Sequence, residues 1–343
     1  MDNGFLAKEY IWKNKLILIS IIFIGVLNSI ITFLLPVSIG NFIILRYGSE
    51  GGKERLLQLL GIHFTTLTQF FLFFFLLIAA KALLGTVEKF YSFREGERFV
   101  KNVREQLFKA QLNTSAEVFS QRSYGYYLLR YSNDLKTLRN YLVNGKLDGW
   151  KNFSFLCVGI SLLFLLHFKL SLFLLGFFLI AYTGIFLFSR YQKTFIVSSR
   201  SRRSNLLAYV TKSFSRHEKI RQKFAEEKTI DRFNFKSEQL FEANMKNNKL
   251  ESLLENLMAV LEFTILGILL WISTLIKPIL HHSDALVFIL VTLMLLSSLR
   301  RIMKVPGYLN KGNISIRKIE KLLIVPVQSA PNEIDEVKIE VIE

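Results

Sequence analysis

The chain has 343 residues, 51% of them hydrophobic and 32 of them Phe, and its 44 Lys+Arg against 27 Asp+Glu give a formal net charge of +17. With 18 Gly, 5 Pro and a single Cys, it is not collagen-like, disulfide-stapled or disordered. The apolar residues are bunched into runs of roughly 18–24 residues, with the basic residues between the runs. This is the layout of a polytopic membrane protein, not of a nucleic-acid binder with a uniformly basic surface.

Six stretches are long and apolar enough to cross roughly 30 Å of hydrocarbon at 1.5 Å per residue. They are Leu16–Leu35, Phe64–Leu84, Phe153–His167, Leu170–Phe188, Leu253–Ile276 and Ala285–Met303. The first is too long for the apolar core of a cleaved signal peptide and has no small-x-small site after it, so it reads as an anchor. The third and fourth are separated only by His167-Phe168-Lys169. A single helix over both would reach about 54 Å, far more than a bilayer needs, so two helices with a tight hairpin are expected.

Lys and Arg set the orientation. Of the 44, 37 fall before span 1, between spans 2 and 3, between spans 4 and 5, or from Arg300 onward. Only Arg46, Lys53, Arg55, Lys169 and Lys277 fall on the other side, while Lys81 and Lys89 belong to span 2 and its end. Both termini and both long loops are therefore expected in the cytoplasm of a multi-pass protein of the bacterial inner (plasma) membrane.

The long loops carry helical patterns of their own. Phe99, Val103, Leu107, Phe108 and Leu112 recur at helical spacing, and Leu135, Leu138 and Leu142 continue the pattern on the return path. Leu206–Phe214 and Ile220–Leu257 read likewise, with breaks near Asn113-Thr114-Ser115, Ser123–Gly125 and Ser213–Glu218. Each loop is thus expected to be a pair of long helices extending its spans and joined at a short polar tip. The pair is either a stiff lever for a partner or a solvated hairpin without one.

These residues resemble the transmembrane domain of type I ABC exporters. The stretch Arg94–Phe108, then Phe119, then Tyr124–Leu135 is similar to that family's "R..LF" helix, aromatic and "G..l.R..nD" element. Lys212–Phe214 through Lys223–Glu227 resembles its second inner loop, and Ile316–Leu323 its helix after span 6. The resemblance covers 1–325. It implies an all-α integral membrane fold of six transmembrane helices with two long cytoplasmic helical extensions, working as a homo- or heterodimer in which spans 4 and 5 reach the other subunit. It also implies coupling helices at about Glu117–Tyr124 and Ser213–Lys219, so Phe119, Gln121, Arg122, Tyr124, Phe214, Arg216, His217 and Glu218 are the candidates for contact with an ATP-binding domain. Phe5–Trp12 stands where the family has an interfacial elbow helix.

The sequence departs from the family in two places. Ser215-Arg216-His217-Glu218 replaces a small residue at the second tip, and no Gly-x-x-x-x-Gly-Lys-Ser/Thr occurs; Gly52-Lys53 and Gly145-Lys146 are each followed by the wrong residue. Glu336–Glu343 alternates like one β-strand, so the tail 326–343 resembles the start of a nucleotide-binding domain cut short. ATP hydrolysis is then expected from a nucleotide-binding domain on a separate chain, which would hold ATP and Mg, with no cofactor, catalytic set or nucleic acid for this one. The alternative is a membrane scaffold or regulatory subunit that keeps the fold and transports nothing.

Within the spans, Glu262 is a carboxylate roughly 13 Å from the inner end of span 5, a costly position that is used either to line a cavity or in a structural pair, Lys81 being one partner to consider. Asn28, Ser29 and Thr32 line the substrate pathway or pack between helices. Lys81 near the inner end of span 2 reads as a snorkelling residue. Cys157 is expected to pack, the Phe excess to face lipid and neighbouring helices, and His281-His282 to make a poor metal site.

Overall fold

The structure, a computed structural model, describes residues 4–47, 64, 66–121, 124–275 and 282–323. Among these residues every element is helical. The tail 326–343, His281, Gly52-Lys53 and Arg122 lie outside the described residues.

In chain order the helices are α1 (Phe5–Lys13), α2 (Lys15–Tyr47), α3 (Leu67–Leu112), α4 (Ala116–Ser120), α5 (Tyr124–Leu129), α6 (Leu135–Asn140), α7 (Asp148–Leu166), α8 (Phe168–Phe214), α9 (His217–Gln222), α10 (Glu226–Leu275) and α11 (His282–Leu323). The six expected apolar stretches fall on α2, α3, α7, α8, α10 and α11. Five helical stretches are long and apolar enough to cross a membrane, and the apolar part of α8, Phe168–Ala181, is shorter. With 46, 47 and 50 residues, α3, α8 and α10 run about 70–75 Å each, so each extends far beyond any bilayer it crosses.

The hairpin between the third and fourth stretches is made by one residue. His167 is extended (φ −153°, ψ 106°), ends α7, and accepts the Leu170 amide on Nδ1 at 3.3 Å as the cap of α8. In α2, Pro36 removes a backbone donor inside an apolar helix. Ser29, Thr32 and Ser38 turn their hydroxyls onto carbonyls four residues back, so no hydroxyl there is left unpaired in an apolar setting.

Two features of the loops differ from the sequence expectation. The return path is not a uniform α-helix, because π-helical turns at Arg130–Asp134 and Tyr141–Leu147 interrupt it. Each wider turn re-aims the stripe, and Tyr141, Leu142, Val143 and Leu147 are all buried. The helix at the second tip is His217–Gln222, a few residues later than Ser213–Lys219, because α8 continues through Phe214.

α2, α3, α7 and α11 form one bundle, while α8 and α10 pack along each other and join it mainly through α7 and α11. One apolar core lies among the spans, with Phe33, Leu163, Leu174, Val291 and Leu295. A second lies at the end that carries the tips, with Phe99, Val103, Leu107, Leu138, Ile316 and Ile319. The elbow-like α1 is part of this second core. Its Leu6, Ala7 and Tyr10 are buried against protein, the amides of Gly4 and Leu6 donate to the Glu320 carboxylate at 3.2 Å, and the Tyr10 hydroxyl donates to Glu95. Burial and the adjacent Glu95 carboxylate hold Tyr10 well above the usual tyrosine range. The apolar face expected to meet the bilayer is therefore taken up by the protein, and Trp12 stands outside it.

The α8–α10 pair is pinned to the bundle by Arg200 of α8. It donates to the Lys311 carbonyl (2.8 Å) and Ser315 Oγ (3.0 Å) on α11 and to Thr137 Oγ1 (3.3 Å) on α6. Ser315 in turn donates to Asp134 at 2.7 Å, and Asp134 pairs with Arg130, both buried. Burial lowers the Arg200 pKa, with Asp134 opposing the shift.

Gly159 sets the crossing of α7 with α2 and α11. A Cβ there would stand 2.5 Å from both Leu295 Cδ2 and Phe33 Cζ, whereas a Cβ at Gly176 meets nothing within 4 Å. Gly159→Ala is expected to destabilise by about 1–3 kcal/mol, as overpacking does, and Gly176→Ala to cost nothing. Thermal unfolding in one detergent checks the difference.

Candidate functional site

A cavity of about 600 Å³ opens where the apolar stretches of α3, α7 and α11 give way to charge beside the middle of α2. Asn28, Ser29 and Thr32 of α2 line it together with Lys81 of α3, so four residues singled out separately in the sequence share one space. Further polar lining was not anticipated, Glu88, Lys89, Asp148, Lys151, Asn152, Arg301 and Lys304 among it. These lie on three helices, up to 216 positions apart in number, and only the fold assembles them. The one available signal was that each ionisable residue stands at the same end of its apolar stretch.

Lys151 is the centre of this wall. Its ammonium contacts Glu88 of α3 at 2.5 Å and Asp148 at 2.8 Å. Glu88 is buried, and it also accepts the Asn28 side-chain amide at 3.0 Å, so α2, α3 and α7 meet at one carboxylate. Gly25 makes room for the lysine stem, since a Cβ there would stand 2.9 Å from Lys151 Cγ. On the opposite wall Arg301 Nε donates to Asn152 Oδ1 at 2.9 Å, and Ser298 donates to the same oxygen at 3.2 Å. Lys304 pairs with Glu255 of α10 at 2.9 Å.

Glu262 is not part of this lining. It forms a two-point ion pair with Arg300, whose Nε lies 3.1 Å from Oε1, and so joins α10 to α11 beside Phe177 and Ile265. Its partner is Arg300 and not Lys81. Cys157 is exposed on α7 instead of packed. Among the described residues no group of three His, Cys, Asp or Glu side chains is arranged to hold a metal.

The two tips lie far along the chain from the cavity. Phe119 of α4 is half-buried and stacks on Tyr127 at 4.2 Å, while Gln121 and Tyr124 are exposed beside it. At the second tip Phe214, Arg216, His217 and Glu218 are all exposed. Phe224, next to that tip, was not among the expected contact residues. It adopts a left-handed φ of 48° and is 90% exposed, and neither property of a phenylalanine is visible in sequence.

The family model described as the ABC transporter transmembrane region matches residues 16–299, from the start of α2 into α11. No curated protein matches the chain.

Two outcomes follow from the ion pairs. Lys151→Met leaves Glu88 buried without its cation and is expected to cost about 2–3 kcal/mol, less than a fully buried pair because the lysine is partly solvated; adding Glu88→Gln should recover most of the loss in a double-mutant cycle read by thermal unfolding. Glu262→Gln is expected to destabilise and to lose its effect once Arg300 is also Gln, read by the same thermal unfolding.

Proposed function

Because this chain belongs to the ABC transporter transmembrane region family, we propose that it is the membrane-spanning subunit of an ABC exporter, with the cavity as part of the substrate pathway. The matched region is a transmembrane region and not a catalytic domain. Energy then comes from nucleotide-binding domains on a separate chain, which hold ATP and Mg and dock on the two tips through Phe119, Gln121, Arg122, Tyr124, Phe214, Arg216, His217 and Glu218, with Phe224 added.

The observation that carries this reading is the polar cavity set among the apolar stretches of four helices, two of which, α3 and α11, continue to the tip end. A charged wall inside an apolar bundle is costly and serves substrate or ion passage by default. The 46-residue α3 is an unbroken rod of about 70 Å, so a displacement at the first tip is delivered to the cavity wall. The α8–α10 pair, packed on itself and pinned at Arg200, is suited to reach a second transmembrane subunit, identical or related. The bias of Lys and Arg supports both termini and both tips in the cytoplasm, in a bacterial plasma membrane.

The test is co-expression with candidate ATP-binding subunits, purification in nanodiscs and an ATPase assay. Co-purification with ATPase activity is expected, and Phe214→Ala with Phe224→Ala should weaken capture about tenfold or more, as loss of exposed aromatic anchors does. Failure to capture any ATP-binding chain would favour a non-transporting scaffold.

A further inference from the structure

The cavity holds more positive charge than its own network uses. Five cationic side chains line it, Lys81, Lys89, Lys151, Arg301 and Lys304, against the carboxylates of Glu88 and Asp148. Those two carboxylates are both committed to Lys151, and Lys304 is answered by Glu255. Arg301 donates to neutral oxygens, the Asn152 amide and the Ser297 hydroxyl, and shares the Asp148 carboxylate with Lys151 only through space. Lys81 and Lys89 have no carboxylate partner among the described residues. They stand eight positions apart on one face of α3, about 12 Å along the axis, with Gly85 midway between them. The lining at Gly85 is bare backbone, open to a ligand.

We propose that this cavity binds an anionic head group, a carboxylate or phosphate carried on an apolar body, and that the anion competes with Glu88 for Lys151. This rests on assigning the cavity to the substrate pathway. Low-dielectric walls strengthen attraction between a cationic lining and an entering anion. A volume of about 600 Å³ suits one small amphiphile and is far larger than a phosphate needs. Phe155, Met294 and Val305 supply apolar lining beside the cations. The Asn28 side-chain oxygen Oδ1 is buried and without a donor, which fits a hydroxyl on the ligand.

The competition couples binding to the helices. Lys151 joins α7 to α3 through Glu88, so an incoming anion that takes over the ammonium releases that tie. Removing the Glu88 charge should therefore favour the anion, while removing Lys81 and Lys89 should disfavour it.

The experiment measures equilibrium binding of radiolabelled 1-oleoyl-lysophosphatidic acid to the full chain in phosphatidylcholine nanodiscs, without any ATPase partner. Oleate and inorganic phosphate serve as competitors and 1-oleoyl-lysophosphatidylcholine as the zwitterionic control. Saturable binding of the anion is expected, at least tenfold tighter than the control. Lys81→Gln with Lys89→Gln should weaken it about tenfold and Glu88→Gln should tighten it several-fold, whereas Lys109→Gln on the exposed far part of α3 should change nothing. Competition by oleate supports an amphiphile as the source, and competition by inorganic phosphate alone supports the head group as a free solute. Equal binding of the zwitterion, or an affinity unchanged in the double lysine variant, overturns the proposal; the double variant alters only partly exposed side chains and does not depend on the Glu88 variant folding. Lost charge preference with ATPase capture intact defeats this inference alone, and lost capture with charge preference intact defeats only the coupling.

Discussion

The Lys151 ammonium holds together the part of the molecule on which the rest depends. It sits where the apolar stretches of α3 and α7 end, bridges α7 to a buried carboxylate of α3, and lies across a glycine of α2. Leaving Glu88 unpaired in that setting costs about 2–3 kcal/mol, so the three helices are held in one register. The polar cavity is the space left on the charged side of that meeting point. Above it the apolar core closes around Leu163 and Leu295; below it the tip-end core closes around Leu107, Leu138 and Ile319.

A second joint connects this bundle to the α8–α10 pair. Arg200 reaches α11 and α6 through side-chain and carbonyl oxygens, and its anchor Ser315 is held by Asp134, itself paired with Arg130. The hydrogen bonds are directional and few, and each partner is buried or half-buried. Such a joint has discrete arrangements instead of continuous give, which is what a two-state transporter needs of the contact between its moving parts. The Glu262–Arg300 pair adds a further tie between α10 and α11, nearer the apolar core.

Much of this was legible in the sequence wherever one local signal decides the outcome. Apolar runs marked the long helices, the polar trio at His167 marked the hairpin, and Asn113-Thr114-Ser115 marked the first tip. What escaped depends on distant partners. A charge in an apolar run announces that it needs a counterion but not which one, so Glu262 was weighed against Lys81 while Arg300, 38 positions on, satisfies it. Glu88 and Lys151 gave no separate warning, because each stands where a charged residue at a span end is ordinary. The amphipathic α1 is equally suited to lipid or protein by its pattern, and the Glu320 carboxylate at its amides decides for protein. The π-helical turns and the left-handed Phe224 are backbone solutions imposed by packing and chain reversal, which side-chain periodicity does not encode.

The central claim is that the cavity is a transport pathway whose access is set by a partner ATPase. The most direct measurement is the labelling rate of Thr32→Cys, on a Cys157→Ser background, by a membrane-impermeant maleimide in the purified complex, with and without ATP and vanadate. The account predicts fast labelling from the tip side without nucleotide and a rate reduced about tenfold or more when the nucleotide is trapped. A rate that is the same in both states would contradict it.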